Sequence, residues 1–262
     1  MTRSEFLRLT VGSAAAVLSP TRRPRPKSPA PRETSGGTRF AAVMFDGFPI
    51  FDPRGVSRVA EEIFPGRGAD LVRSWRTRQF EYQWLRALGG RYTDFREATS
   101  DALTFAAAEQ RLELTAPFRD RLMNVYLALP VWPDVEPCLI ALKESGLRLS
   151  ILSNMTPDML RNGLREAGLT AVFEHVLSTD ALRTYKPDPR AYAMGADVLG
   201  IPRERILFAA FAGWDAAGAK WSGYPTFWVN RLDQPREILG LPPDASGHGL
   251  ADLVAYVRRM SS

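Results

Sequence analysis

Three charged side chains follow apolar segments of the kind that form buried strands. Asp46 comes directly after residues 41–45, Asp215 follows residues 206–210, and Lys186 lies in a segment interrupted by prolines. The carboxyl ends of the strands in an open α/β sheet border one crevice, so charged groups placed there converge on a shared site. A carboxylate in such a crevice can act as a nucleophile or a base, and a nearby ammonium group keeps it ionised. The three residues are therefore predicted to form a catalytic set. The alternative for Lys186 is an exposed lysine in a loop.

The surrounding pattern predicts an α/β fold that can build this crevice. After residue 133, apolar strands alternate with amphipathic helices. This alternation is typical of a Rossmann-like core with a parallel sheet and helices on both faces. The predicted strands are 40–45, 147–152, 176–178, 206–210 and 225–229, and the predicted helices of this part are 135–145, 157–167, 189–199 and 215–222.

A helical block separates the first predicted strand from the second. The helical pattern covers residues 56–64, 69–88, 95–111 and 116–129, and no strand is predicted there. We interpret the block as a helical cap inserted after the first strand, over the ends of the strands. The predicted domains are a core formed by residues 39–52 and 132–262 and a cap formed by residues 53–131.

Composition argues against several functional classes. The chain has 262 residues, of which 45% are hydrophobic, so it can bury a full core. The net charge of +5 arises in residues 1–39, where eight Lys or Arg oppose two Glu; the remainder has 26 basic and 27 acidic side chains, which gives no sign of nucleic-acid binding. The two histidines, His175 and His248, argue against a Ser-His-Asp triad and a zinc site. The single cysteine, Cys138, cannot form an internal disulfide.

Residues 1–38 are predicted to be an export signal followed by a linker. The apolar run 9–18 is too short to span a bilayer, so no stable membrane insertion is expected. Residues 2–7 resemble a twin-arginine signal in which Ser4 replaces the second arginine, and this resemblance implies a periplasmic or exported protein. The alternative is a non-targeting tail on a cytoplasmic protein. Residues 19–37 are rich in proline and arginine and nearly lack large apolar side chains, which is typical of a linker.

Five short motifs are distributed along the body of the chain. They are Phe45-Asp46, Trp75-Arg76, Leu152-Ser153-Asn154, Tyr185-Lys186-Pro187-Asp188 and Trp214-Asp215-Ala216-Ala217-Gly218-Ala219. Their order and approximate spacing resemble the haloacid dehalogenase superfamily, and the resemblance covers about residues 39–258. The segments 64–69, 75–86 and 223–231 look most like the (S)-2-haloacid dehalogenases. The resemblance implies a Rossmann-like core, a helical cap and an aspartate nucleophile.

Two positions distinguish the branches of that superfamily. Its phosphatases typically place a second Asp two residues after the nucleophile and an acidic magnesium ligand four residues before the last Asp. Here these positions are Phe48 and Phe211, which can neither carry a proton nor bind a hard cation. The sequence therefore predicts an enzyme without a metal or other cofactor that acts on a small 2-halocarboxylate. A phosphatase of the same fold is the least favoured alternative.

The resemblance implies a role for each residue of the site. Asp46 would attack the α-carbon of an (S)-2-haloalkanoic acid, and water would then hydrolyse the aspartyl ester to give the inverted 2-hydroxy acid. Lys186 would orient Asp46, and Arg76 would reach the leaving halide or the substrate carboxylate; the alternative for Arg76 is an arginine on an exposed helix face. The implied substrate contacts are Ser153 and Asn154 for the carboxylate, and Phe48, Phe80, Phe95 and Trp214 for the apolar wall. Alternatively, Ser153 or Asn154 caps the helix that begins at Pro157. Core packing explains each of the aromatic side chains equally well.

The chain departs from the family where the hydrolytic water would be held. The family places serine five residues and asparagine three residues before the last Asp, whereas this chain has Ala210 and Ala212, which offer no side-chain hydrogen bond. Asp215 remains to accept a proton from water, but ester hydrolysis is expected to be the slow step. The second hypothesis is therefore a non-hydrolytic or carboxylate-binding member of the same fold.

A homodimer is a further prediction. The amphipathic runs at 69–88 and 116–129 would allow two copies to pair through their cap helices. Packing within one chain uses the same pattern and is the alternative.

Overall fold

A six-stranded parallel sheet forms the centre of the protein. The computed structural model describes residues 39–261, so the predicted export signal and linker in residues 1–38 lie outside the described residues. The strand order is β3-β2-β1-β4-β5-β6, and all five pairings are parallel. The strands are β1 (Ala42–Phe45), β2 (Arg148–Ser153), β3 (His175–Ser178), β4 (Ile206–Ala210), β5 (Thr226–Val229) and β6 (Ala245–Gly247). The α/β fold with a parallel Rossmann-like sheet is thereby confirmed.

Nine α-helices accompany the sheet within residues 39–261. Four lie between β1 and β2 in the chain: α1 (Arg54–Ile63), α2 (Gly68–Leu88), α3 (Phe95–Glu109) and α4 (Ala116–Val125). The others connect or follow the strands: α5 (Val135–Glu144), α6 (Pro157–Glu166), α7 (Pro189–Leu199), α8 (Gly213–Trp221) and α9 (Leu250–Arg259). In the described part of the chain, no helix combines the length and the apolar character needed to cross a membrane.

β1 is the central strand on which the site is built. Its four residues are fully buried, and it pairs with β2 on one side and β4 on the other. Both neighbours are needed because a strand covered on both faces has no water to satisfy its backbone. The register places Phe45 opposite Ile151 and Ala209. The residues that follow these positions, including Asp46, consequently emerge at one edge of the sheet.

The four helices between β1 and β2 pack on one another through aromatic side chains. The Trp75 indole donates to the carbonyl of Thr99 on α3 (2.8 Å), and its ring meets Tyr126 edge-on at a centroid distance of 5.8 Å. Gly68 allows α1 and α2 to approach closely, because a Cβ at this position would lie 2.3 Å from the backbone nitrogen of Glu61. Any larger residue at Gly68 would force the two helices apart.

The chain leaves and re-enters the sheet at neighbouring points. Phe51 and Val131 form an isolated antiparallel bridge, and the Trp132 N–H donates to the carbonyl of Ile50 (3.1 Å). The predicted boundaries at residues 52 and 132 lie beside this bridge. The division into a core and a cap domain stays a prediction.

The structure differs from the predicted elements in three places. α4 ends at Val125 rather than at residue 129, because residues 126–128 form tight turns whose N–H groups donate to the carbonyls three residues earlier. Pro130 follows, and a proline disfavours helical conformation in the residue before it. β6 and α9 were not predicted. β6 consists of only three residues, Ala-Ser-Gly, which carry no strand-like apolar pattern.

Candidate active site

A buried lysine joins two buried carboxylates at the carboxyl edge of the sheet. Lys186 Nζ donates to Asp46 Oδ1 at 2.8 Å and to Asp215 Oδ2 at 2.7 Å. The side chains of Lys186 and Asp215 are each 1% exposed, and that of Asp46 is 11% exposed. The alternative reading of Lys186 as an exposed loop residue is therefore wrong. Among the described residues no group of three His, Cys, Asp or Glu side chains is arranged to hold a metal ion.

Each of the three groups comes from a different segment. Asp46 follows β1, Asp215 lies in the first turn of α8, and Lys186 precedes a cis peptide bond to Pro187. The main chain at Lys186 is held on both sides: its N–H donates to Asn154 Oδ1 (2.9 Å), and its carbonyl accepts from the Trp84 indole (3.1 Å). These two contacts fix the main chain of Lys186, and the hydrogen bonds of Nζ to the two carboxylates hold the ammonium group.

Asp215 is engaged at both of its oxygens. Oδ2 accepts from Lys186, and Oδ1 accepts from the hydroxyl of Tyr192 on α7 (2.7 Å). Burial and the nearby Asp46 charge raise the pKa of Asp215 to about 6, although Lys186 and Tyr192 oppose the rise. Burial tends to lower the pKa of Lys186, but the two carboxylates outweigh it and raise that pKa. Asp215 is therefore a carboxylate whose proton affinity suits a base near neutral pH.

Tyr192 was missed by the sequence reasoning. Its hydroxyl is buried, and burial and the Asp215 charge raise the pKa of the phenol well above its usual value, so it stays a neutral donor. No motif marked it. The available signal was its position in the first turn of the helix that begins directly after the Lys186 loop.

The glycine at position 218 leaves space for this tyrosine. A Cβ at Gly218 would lie 2.3 Å from the Tyr192 hydroxyl oxygen. Gly218→Ala is therefore expected to displace the hydroxyl from Asp215 and to lower the free energy of unfolding by about 1–3 kcal/mol, measured by urea denaturation. The control is Gly55→Ala in α1, where the nearest atoms to the added Cβ are 3.7 Å away. This variant is expected to be neutral or more stable by up to about 1 kcal/mol. Equal urea midpoints for Gly218→Ala and the unmodified protein would contradict the close packing of Tyr192.

Arg76 projects from α2 as a half-buried cation. Its guanidinium carbon lies 5.8 Å from the ring centroid of Phe80 and 5.7 Å from that of Phe211. Burial lowers the pKa of Arg76 while the Asp46 charge opposes this effect, and an arginine remains protonated in either case. No salt bridge joins Arg76 to a carboxylate within residues 39–261. An unpaired, partly desolvated cation of this kind is suited to bind an anion.

Aromatic side chains surround this cation and an open pocket of about 580 Å³. Phe80, Trp84 and Trp214 contact one another with centroid distances of 5.4–5.7 Å, and Phe48 lies 5.7 Å from Phe211. Arg76, Phe80, Trp84, Phe211 and Trp214 line the pocket, whereas Asp46, Lys186 and Asp215 do not. The pocket borders Trp214, the residue before Asp215, and its apolar walls suit an alkyl group.

Phe95 occupies a different environment from Phe80 and Trp214, which line the pocket. It is buried at the start of α3, where its ring packs against Tyr126 at a centroid distance of 6.1 Å. Phe95 does not line the 580 Å³ pocket, and neither does Phe48, which packs against the lining residue Phe211. The core-packing alternative describes the observed contacts of Phe95.

Ser153 and Asn154 are both buried beside the charged groups. A Cβ at Gly47 would lie 2.9 Å from Ser153 Oγ, so this hydroxyl packs against the backbone directly after Asp46. Neither residue caps α6: the cap is Thr156, whose hydroxyl accepts from the Met159 N–H (3.3 Å). The capping alternative for Ser153 and Asn154 is therefore wrong.

Ala210 and Ala212 leave the region before Asp215 without side-chain donors. Ala210 is the fully buried last residue of β4, and Ala212 precedes α8 without any side-chain cap. Only the backbone carbonyl of Ala212 contributes a contact to Asp215, accepting from its N–H (3.1 Å). A water at this point would depend on Asp215 and on backbone groups.

Known proteins are similar to this chain in both sequence and architecture. A family model described as haloacid dehalogenase-like hydrolase matches residues 41–223. An (S)-2-haloacid dehalogenase of Pseudomonas sp. (strain YL) is 42% identical over 203 residues, which is 77% of this chain and 88% of the relative. The crystal structure of the L-2-haloacid dehalogenase RSc1362 is 43% identical with a TM-score of 0.82, covering 84% of this chain and 99% of that one. The L-2-haloacid dehalogenase of Xanthobacter autotrophicus with chloropropionic acid covalently bound is 35% identical with a TM-score of 0.78, covering 84% and 98%.

Proposed function

This chain belongs to the haloacid dehalogenase-like hydrolases, and we propose that it hydrolyses small (S)-2-haloalkanoic acids through an ester of Asp46, giving halide and the inverted 2-hydroxy acid. The observation that carries the proposal is the buried Lys186 bridging Asp46 and Asp215. This arrangement provides a poorly hydrated carboxylate nucleophile, a cation that orients it and a second carboxylate that can act as a base.

The first step is displacement of the halide by Asp46. Lys186 engages Oδ1 of Asp46, while Oδ2 accepts only a longer hydrogen bond from the Phe48 N–H (3.3 Å) and is the freer oxygen for attack. The new bond between this oxygen and the α-carbon forms as the carbon–halogen bond breaks, and the halide leaves with the bonding electron pair. No proton donor is needed for a halide. Arg76 supplies positive charge for the halide or for the substrate carboxylate.

The second step is hydrolysis of the ester. Water adds to the carbonyl carbon of Asp46 while Asp215 accepts the proton that the water loses. The bond between this carbon and the ester oxygen then breaks, and the departing alkoxide takes the proton back from Asp215 to give the 2-hydroxy acid. The Asp46 carboxyl group releases its remaining proton to solvent, which regenerates the carboxylate. A carboxylate has about four acceptor sites, so Asp215 can accept a hydrogen bond from water in addition to those from Lys186 and Tyr192. Its pKa of about 6 keeps it largely ionised at pH 7.

One structural observation favours a second candidate function. Ala210 and Ala212 provide no side-chain hydrogen bond to fix the water. A water displaced by ~1 Å can slow the reaction about 100-fold. In the limit of very slow hydrolysis, the protein would retain a carboxylate or a stable ester rather than turn over.

The test measures halide release together with intact protein mass. With (S)-2-chloropropanoate or bromoacetate, we expect a rapid first release of about one halide per chain, followed by slower but continuing turnover. The variant Ala212→Asn is expected to accelerate the slow phase by up to about 100-fold. A single halide with a lasting mass increase on Asp46 would support the second candidate. Phosphate release from a phosphomonoester without any halide release would contradict both.

Export and dimer formation stay predictions. Leu85 and Leu88 on α2 are 64% and 87% exposed, which supports a proposal that this helix end pairs with a second copy. The export proposal concerns residues outside 39–261 and is supported by their sequence alone.

A further inference from the structure

Gln83 on α2 is a buried amide with an unused donor. Its side chain is 0% exposed, and its Nε2 has no hydrogen-bond partner among the described residues. A buried donor without an acceptor is destabilising, and buried polar groups in folded proteins nearly always find a partner. The acceptor for this donor is therefore either an internal water or a molecule that binds beside Gln83.

The orientation of the amide follows from its neighbours. The Lys186 N–H can only donate, so the Asn154 atom that it contacts at 2.9 Å is the carbonyl oxygen Oδ1. The hydroxyl of Thr179 donates to the same oxygen (3.2 Å). Asn154 Nδ2 therefore points to Gln83 and meets its Oε1 at 3.5 Å. With Oε1 directed at this donor, Nε2 is the free end of the Gln83 side chain.

Gln83 stands where α2 meets the charged groups of the sheet. The next residue, Trp84, donates to the Lys186 carbonyl, and Asn154, which contacts Gln83, accepts from the Lys186 N–H. The family resemblance also assigns Asn154 and Ser153 to the substrate carboxylate. The unpaired donor of Gln83 thus adjoins the place where a carboxylate would bind.

We propose that Gln83 is a substrate-binding residue whose Nε2 donates a hydrogen bond to the carboxylate of the bound 2-haloalkanoate, next to Asn154. This inference rests on the proposed function. A neutral amide can donate to a carboxylate without adding a further charge to a buried site that already holds Lys186, Asp46 and Asp215.

The test uses propanoate, an unreactive carboxylate of matching size, with the full-length protein. Gln83→Met keeps the side-chain volume and removes the amide, and we expect it to weaken propanoate binding about tenfold in calorimetric titration. Because the substitution also removes an unsatisfied buried donor, the melting temperature without ligand should stay equal or rise. Gln83→Glu replaces the donor by a like charge and should weaken binding further.

Gln79 provides a matched control one turn earlier on the same helix. It is also buried, but its Nε2 already donates to Thr99 Oγ1 (2.5 Å). Gln79→Met should therefore lower the melting temperature and leave propanoate affinity within about twofold.

Two outcomes would overturn the inference. One is that Gln83→Met and the unmodified protein bind propanoate with equal affinity, whether or not the variant loses stability. Gln83 would then have a structural role or donate to an internal water. The other is an unmodified protein that does not bind propanoate. Neither result depends on halide release. A protein that binds propanoate through Gln83 but releases no halide would therefore refute the proposed reaction and leave the inference about Gln83 intact.

Discussion

Replacing Asp46 with asparagine is expected to abolish halide release, with a loss of about 10⁴-fold or more in kcat. The amide is a poor nucleophile, and its nitrogen cannot form the ester on which the second step depends. The fold should persist because asparagine has the shape of aspartate and Asp46 is paired with a lysine that keeps its other partner, Asp215. The measurement is halide release from (S)-2-chloropropanoate by freshly prepared protein, with intact mass used to detect deamidation.

Asp52→Asn is the matched control for this prediction. Asp52 lies six residues further along the chain, where its 13% exposed side chain pairs with the 62% exposed Arg54. Its replacement should leave kcat within about twofold, because Asp52 pairs with the exposed Arg54 and does not contact Lys186. Full activity of Asp46→Asn, with no deamidation by mass, would refute the nucleophile assignment.

Lys186→Met is expected to have the second largest effect. The substitution leaves Asp46 and Asp215 close together in a buried site without their cation. Removing one partner of a buried ion pair typically costs about 3–5 kcal/mol of stability. The nucleophile would also lose the group that orients it, so kcat should fall by about 10²-fold or more. Urea denaturation and halide release measure the two effects.

The stability loss in Lys186→Met should depend on pH. The pKa of Asp215 in the folded protein, about 6, lies above its usual value of 3.8, so the folded state binds the proton more tightly. The free energy of unfolding therefore falls as pH rises through this interval. Without Lys186, which lowers the pKa of Asp215, the decline should extend to higher pH. The difference in stability between variant and unmodified protein should thus be larger at pH 8 than at pH 5.

Lys220→Met serves as the control for charge removal. Lys220 pairs with Asp244 at the surface, where the two side chains are 21% and 36% exposed. This pair should contribute ~1 kcal/mol or less, with little change between the two pH values. A Lys186→Met protein as stable as Lys220→Met at pH 8 would contradict the buried bridge.

The sequence was sufficient to predict five of the six strands of the sheet and the meeting of its charged groups. Phe45 ends a fully apolar strand and Asp46 follows, and a charge at that point can only emerge at the carboxyl edge of the sheet. The same reasoning applies to Asp215 after β4. The structure brings both into contact with Lys186, while their roles in the reaction stay predictions.

The sequence could not predict contacts that depend on the rotation of a helix about its own axis. Whether Tyr192 faces Asp215 is decided by how α7 packs on the sheet, and a tyrosine on a helix is usually a core residue. No sequence pattern distinguished Gln83 from its neighbours on α2, yet its side chain is completely buried. Phe95 shows the opposite outcome, because a residue that looked like a pocket wall contacts Tyr126 instead. Local pattern specifies the period of a helix but not its partners.

The two hydrogen bonds that hold the main chain of Lys186 limit which helical segments could be grafted into this protein. The Trp84 indole donates to the Lys186 carbonyl. Gln83 beside it contacts Asn154, which accepts from the Lys186 N–H. Two adjacent residues of α2 therefore help to position the main chain that carries the ammonium group. Exchanging the helical segment for that of a relative would transplant these two anchors as well as the walls of the pocket. A chimera that conserved every charged residue of the sheet could therefore still lose its ionic bridge, unless the donor segment supplied an indole and an amide at the corresponding points.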